Sequence, residues 1–299
     1  FRIGSISKPL CGMVAHDCIE HGVGGLTLNS NMASTLGLGN TAPGIGNITL
    51  QHLLSHTSGL LANPDEISAA NAWASAHSIP ATLPCDEYVV AWYAAQSQPT
   101  ALGQWDYSNA GNTAAGQMIE QASGQDYMAR LGNRILAPLG ITRWGRELGP
   151  KSTLLPGEVH YHLPQLYLSW GNLYFDQRLL APQYMKRYWD SAGGLVTSAV
   201  DLARVIAGAF QIGSDSPLFS VARQNAILFR RTYPELNSTA TKEWTDGAWA
   251  SGERSPGVYT YWHNGETDGF YSYCVFRSDG VGVVVLFNSN REMTLETIE

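Results

Sequence analysis

The chain has 299 residues, enough for one large domain or two intertwined ones with a sizeable core. Charged residues make up 14%, the net charge is −7 and there are four lysines, which excludes a basic patch for nucleic acid or for an anionic membrane surface. No apolar run approaches the roughly 20 residues of a membrane span, and no signal peptide is visible, although the chain opens mid-motif.

The first element is "FRIGSISKPLCGMVAHDCIEHG". Leu10, Met13, Val14 and Cys18 recur at spacings of three and four, and His21-Gly22 reads as a stop, so a helix with one apolar face is expected. Pro9 is tolerated in a first turn, which puts the helix start near Ser5. Ser5 and Lys8 then share an exposed N-terminal rim, within side-chain reach of each other. A capping serine beside a solvated lysine is the ordinary reading of such a pair. Lysine is, however, disfavoured in the positive field of a first turn, and that field suits an amine serving as a base.

Helical patterns alternate with Gly/Pro-rich connections up to about residue 235: "TLQHLLSHTSGL", "CDEYVVAWYAAQ", "NAGNTAAGQMIEQASG", "YMARLGNRILAPLG" and "SAVDLARVIAGAF". From Trp244 onward, "WTDGAWAS", "GVYTYWHNG", "FYSYCVFRSDG" and "VGVVVLFNSN" read as antiparallel strands split by turns such as Ser278-Asp279-Gly280. "SNREMTLETIE" begins a last helix with Ser289 as cap. Cys11, Cys18, Cys85 and Cys274 form no CxxC, and Cys11 and Cys18 lie too far apart for a bridge, so buried thiols are expected. His160 and His162 form an HxH without a third ligand, and no metal or other cofactor is implied. Neither GxGxxG nor GxSxG occurs, which removes the dinucleotide fingerprint and the nucleophile elbow.

Three short patterns stand in one order: Ser5-x-x-Lys8, Tyr107-Ser108-Asn109 and His263-Asn264-Gly265. Each is cheap alone, but the ordered triple is expected by chance on the order of 0.03 times in a chain of this composition. Each also falls where its chemistry needs it, at a helix start, in a loop and on a strand.

With these motifs, and with "FRIGSISK", "ITLQHLLSHTSGL", "AGGLVTSAVDLARVI" and "WHNGETDGFYSYCVFRSDGVGVVVLFN", the chain resembles the serine β-lactamase and penicillin-binding superfamily over nearly its whole length. The likeness is to the class C-like branch of β-lactamases, family VIII carboxylesterases and D-stereospecific aminopeptidases. The resemblance implies an α+β fold. A mostly helical domain over 5–235 carries SxxK and YxN, and a sheet domain over 236–299 carries HxG, with the site in the groove between them. It implies Ser5 as acylated nucleophile, Lys8 as general base, Tyr107 as proton shuttle and His263 beside Tyr107 or the substrate. Asn109 would hold the acyl side chain, and the strand residues Gly265 and Glu266 would line the oxyanion hole, with backbone N–H groups of Ser5 and Glu266 as donors. His56 and Ser58 fall at a helix end and turn and receive no chemistry.

A serine acyl-hydrolase acting on small carboxylic esters or D-amino-acid amides or peptides is therefore expected. β-Lactamase or DD-peptidase activity is the alternative among enzymes, and a non-catalytic sensor or binding module the alternative outside them. The class A set has K-T-G where this chain has His263-Asn264-Gly265, which replaces a cation with a mostly neutral group and weakens carboxylate recognition. The loops near Trp73, Trp170 and Trp189 that would shape the pocket carry no readable code. Relatives place strands before the nucleophile next to the last strands of the sheet. The expectation is that these residues belong to a longer polypeptide or pair that edge with another chain. The family weakly favours a periplasmic or secreted location.

Overall fold

The structure, a computed structural model, describes residues 1–39, 41–60, 76, 90–91, 94–95, 100–147, 154–169, 172–179, 190–211, 213–267 and 269–289. Most of the "CDEYVVAWYAAQ" pattern, Cys85, the loops at Trp73, Trp170 and Trp189, and nearly all of the expected last helix lie outside the described residues.

A 3-10 turn at Gly4–Ile6 leads into α1 (Ser7–Glu20). Then come α2 (Met32–Leu36), α3 (Leu50–Leu54), α4 (Asn109–Ser123), α5 (Tyr127–Leu131), α6 (Ala199–Ala209) and α7 (Val221–Ile227). Serine hydroxyls set several helix starts: Ser108 accepts from the Gly111 N–H, and Ser198 from the Asp201 N–H, each at 3.0 Å. The helix over Ser7–Glu20 is not the one-faced helix expected. Every residue from Ser7 to Cys18 is buried, because α4, α5 and α7 all pack on it. Lys8 is accordingly 0% exposed rather than on an open rim. Cys11, Cys18 and Cys274 are buried and unbridged.

The first strands are β1 (Gly145–Arg146), the hairpin β2 (His162–Ser169) and β3 (Asn172–Leu179), and β4 (Leu195–Val196), which pairs with β1. The hairpin falls in a stretch whose surroundings read as helix and loop, because Leu and Tyr suit either state and no Asn-Gly or Asp-Gly marks its turn. Among the described residues, β5 (Arg230–Pro234), β6 (Thr241–Thr245), β7 (Ala250–Ser255), β8 (Val258–Thr267), β9 (Phe270–Arg277) and β10 (Gly282–Phe287) form one antiparallel meander. On β9, alternate residues Phe270, Ser272, Cys274 and Phe276 turn inward and are buried. Phe276 stacks on Phe210 and Tyr261 there, which seals α6 to the sheet.

The chain before Ser5 is laid along β4. The Ile3 N–H donates to the Leu195 carbonyl at 3.0 Å, and the Thr197 N–H to the Phe1 carbonyl at 2.9 Å. Here Arg2, 1% exposed, ion-pairs with Glu147 at 2.5 Å and Glu158 at 3.0 Å, and its own N–H donates to the Tyr161 hydroxyl. One guanidinium thus serves two buried carboxylates. Burial, opposed by Arg2 and reinforced by the Glu158 charge, raises the Glu147 carboxyl to about 8.

A carboxyl raised in the folded state stabilises the fold fully below its unfolded value of 4.5 and loses that contribution as pH rises through 8. Urea unfolding between pH 4.5 and 8 is therefore expected to show stability falling with pH. Glu147→Gln should flatten that slope, whereas Arg2→Met should cost about 3–5 kcal/mol by stranding the buried charge.

Candidate active site

The Gly4–Ile6 turn meets the sheet at two glycines. Gly4 sits at φ +51°, and a Cβ there would come within 3.1 Å of the Glu266 backbone nitrogen. At Gly265 a Cβ would lie 2.0 Å from the Ile3 carbonyl oxygen, a separation no side chain allows. Ser272, opposite Gly265 on β9, has its Oγ 2.7 Å from the Ile3 carbonyl oxygen and 3.1 Å from that of Gly265. The Gly4–Ser5 peptide and the Glu266 amide are therefore neighbours, and the residues that sequence reasoning assigned to an oxyanion hole come together.

Ser5 is half-buried at the centre of the 3-10 turn and caps no helix. The Lys8 Nζ donates to Ser5 Oγ at 2.9 Å and to the Ala192 carbonyl at 2.6 Å. Lys8 Nζ also lies 4.9 Å from the Tyr107 ring centroid. Burial pushes the Tyr107 phenol up, and only a hydrogen bond with Ser5 opposes the shift, so Tyr107 holds its proton at neutral pH. Ser5 thus accepts a hydrogen bond from the Lys8 amine and has the Tyr107 phenol beside it. Asn109 is the first residue of α4 and is 8% exposed, one position beyond its Ser108 cap.

His263 lies on β8 with its ring centroid 6.2 Å from that of Tyr107 and 5.8 Å from that of Trp244. It is 3% exposed. Burial, reinforced by repulsion from the Lys8 charge, lowers it to about 3. The ring is neutral, and its tautomer follows from its partner. Nδ1 lies 2.6 Å from the Asn264 carbonyl oxygen, which can only accept, so Nδ1 carries the proton. Nε2 is then a bare acceptor, buried and without a partner among the described residues.

A cavity of about 150 Å³ opens beside these groups, walled by Trp105, Tyr107, Trp244, Trp262, Lys242 and His263. Lys242 Nζ lies 4.9 Å from the Trp105 ring centroid. A larger cavity, about 560 Å³, lies between α6, α7 and the ends of β9 and β10, and its walls contain none of the motif residues. Sequence reasoning did not name Trp105, Trp244, Trp262 or Lys242 as site residues. Their signal was a run of tryptophans in strand-like segments, which reads equally well as core. Ser58 is buried in the turn after α3, as its segment led one to expect.

A family model described as Beta-lactamase matches residues 1–298. A D-stereospecific amidohydrolase from Streptomyces sp. superposes with a TM-score of 0.68 at 20% identity, over 97% of this chain and 82% of that one. The D-amino acid amidase from Ochrobactrum anthropi SV3, complexed with L-phenylalanine amide, does so with a TM-score of 0.67 at 18% identity, over 97% and 76%. An octameric penicillin-binding protein homologue from Pyrococcus abyssi gives 0.69 at 22% identity, over 97% of this chain and 62% of that longer chain. These similarities bear out the α+β, β-lactamase/transpeptidase-like fold and the superfamily that the three motifs brought to mind. The chain belongs to the Beta-lactamase family.

Proposed function

We propose that the protein is a serine acyl-hydrolase working through an acyl-enzyme on small carboxylic esters or D-amino-acid amides or peptides. The observation that carries this reading is the Ser5 hydroxyl held between Lys8 and Tyr107. In the proposed cycle the neutral Lys8 amine takes the proton as Ser5 Oγ attacks the substrate carbonyl carbon. The oxyanion of the tetrahedral intermediate accepts from the Ser5 and Glu266 N–H groups, each such donor being worth roughly 3 kcal/mol in other serine hydrolases. Collapse breaks the bond to the leaving group, which takes the Tyr107 proton, and Tyr107 is reprotonated from Lys8. Water, deprotonated by the same pair, attacks the acyl carbon and returns Ser5. Asn109, at the head of α4, holds the acyl side chain.

His263 directs the substrate preference. A neutral imidazole with an acceptor Nε2 offers nothing to a carboxylate, whereas it accepts from an N–H of an amide or amine. Two similar structures, a D-stereospecific amidohydrolase and a D-amino acid amidase, support the amide side of the reading. Lys242 in the cavity wall is the observation that favours the second reading, a carboxylate-bearing β-lactam.

Ser5→Ala is expected to abolish both turnover of a p-nitrophenyl ester and covalent labelling by a fluorophosphonate, read by intact mass. Lys8→Arg should lose about ten-thousand-fold in kcat, because arginine keeps its proton and the pair acts as a unit. An acyl adduct on the Ser5→Ala protein would end the assignment.

Short-acid esters or D-alanine amides should exceed benzylpenicillin in kcat/KM. A missing charge-assisted hydrogen bond to the carboxylate is worth roughly 1.5–3 kcal/mol, or about one to two decades. His263→Lys should narrow that ratio. If the unmodified protein prefers a cephalosporin over every ester and amide tried, the second reading takes its place. Nitrogen-15 NMR should find His263 as the Nδ1–H tautomer with its only transition near pH 3.

A further inference from the structure

His56 follows α3 in "LLSHTSGL" and takes no part in the cycle above, yet three features single it out. Its backbone is left-handed, at φ +58°, which costs a non-glycine residue energy and persists only where the surroundings enforce it. It is completely buried. Among the described residues, its side-chain and carbonyl partners lie on one short segment. The His56 carbonyl accepts from the Asp106 N–H at 2.8 Å, and His56 Nδ1 accepts from the Ser108 N–H at 3.1 Å. The two residues gripped are the immediate neighbours of Tyr107, whose ring lies against the imidazole with centroids 4.2 Å apart and planes 31° apart. Trp244 closes the imidazole from the side, edge-on at 4.9 Å.

The grip requires one tautomer. Because the Ser108 N–H donates, His56 Nδ1 must be bare and the ring proton must sit on Nε2. A protonated ring would set two hydrogens against each other and release Ser108. Burial keeps the ring well below its ordinary value, and Lys8 adds to the shift when it carries its proton, so the imidazole stays in the gripping form across the working range.

We propose that His56 is a positioning residue for Tyr107: it clamps the peptides on either side of the tyrosine and backs its ring, so that the phenol meets Ser5 in the geometry the proton transfer needs. The inference rests on the proposed role of Tyr107. It differs from a general packing role because it predicts which atom of the side chain matters. The Oδ1 of an asparagine occupies the place of Nδ1, and asparagine tolerates the left-handed backbone. The reach of glutamine matches Nε2 instead.

The test is steady-state kinetics on a p-nitrophenyl ester, with Tm, for His56→Asn, His56→Gln, Tyr107→Phe and the double variant His56→Gln, Tyr107→Phe. His56→Asn should stay within about threefold of the unmodified protein, while His56→Gln should lose about a hundredfold in kcat at nearly unchanged KM, as expected for a misplaced reacting group. In the Tyr107→Phe background the same His56→Gln change should cost less than about twofold, since the residue acts only through the lost hydroxyl. Equal kcat for the Asn and Gln variants, or an undiminished loss in the Tyr107→Phe background, overturns the proposal. If the Gln variant does not fold, NMR of the unmodified protein decides: a His56 ring protonated at Nδ1 overturns the proposal, and an Nε2–H tautomer with a hydrogen-bonded Nδ1 supports it. An unmodified protein that neither turns over ester nor labels at Ser5 overturns the catalytic reading itself. One that labels at Ser5 and is indifferent to His56→Gln overturns this inference alone.

Discussion

The site depends on one close approach of backbone to backbone, the Gly4–Ile6 turn against β8. The Ile3 carbonyl occupies the space where any residue other than glycine at position 265 would put its Cβ. Ser272, reaching across from β9, holds that carbonyl at 2.7 Å and so ties the Gly4–Ile6 turn to two strands at once. On the opposite side, hydrogen bonds from Ile3 and Thr197 lay Phe1–Ile3 along β4. Ser5 is therefore placed by hydrogen bonds and steric contact on both flanks. A main-chain contact of this kind positions more accurately than a flexible side chain, because the peptide has no rotamers to lose.

Burial then decides the protonation of the groups around Ser5. Lys8 is enclosed within the core, and whenever it carries its proton the charge adds to burial in opposing protonation of His56 and His263, through a medium that screens poorly. Both imidazoles respond by staying neutral. A neutral imidazole has one donor and one acceptor, and here the partner of each ring identifies them. His263 donates from Nδ1 and presents an acceptor at Nε2, while His56 accepts at Nδ1 and carries its proton on Nε2. The two histidines beside Tyr107 thus carry their protons on opposite ring nitrogens.

A second buried charge group supports the first from behind. Arg2 lies three residues before Ser5 and joins Glu147 to Glu158, fastening these first residues to segments far along the chain. Asp17, nearer the end of α1, does the same toward α5 through Arg130 at 2.7 Å. Neither pair touches the cavity. Their effect is to orient α1, and through α1 the amine of Lys8.

The sequence alone determined the placements that depend on short spacings. Ser5 and Lys8 meet because three residues make about one helical turn, Tyr107 and Asn109 because a capping serine starts α4 between them, and His263 and Gly265 because alternate residues of a strand share a face. These relations survive any packing, which is why three tripeptide-scale motifs were enough to read the family and its α+β fold. The tertiary structure decided what distance in space decides. It turned an expected solvent-facing lysine into a buried one, brought the indoles of Trp105, Trp244 and Trp262 around one cavity, and set His56 against Tyr107, 51 positions further along the chain. None of these is encoded locally. A tryptophan in a strand reads the same whether it lines a cavity or fills a core, and a histidine after a helix reveals its tautomer only when the group opposite it is known.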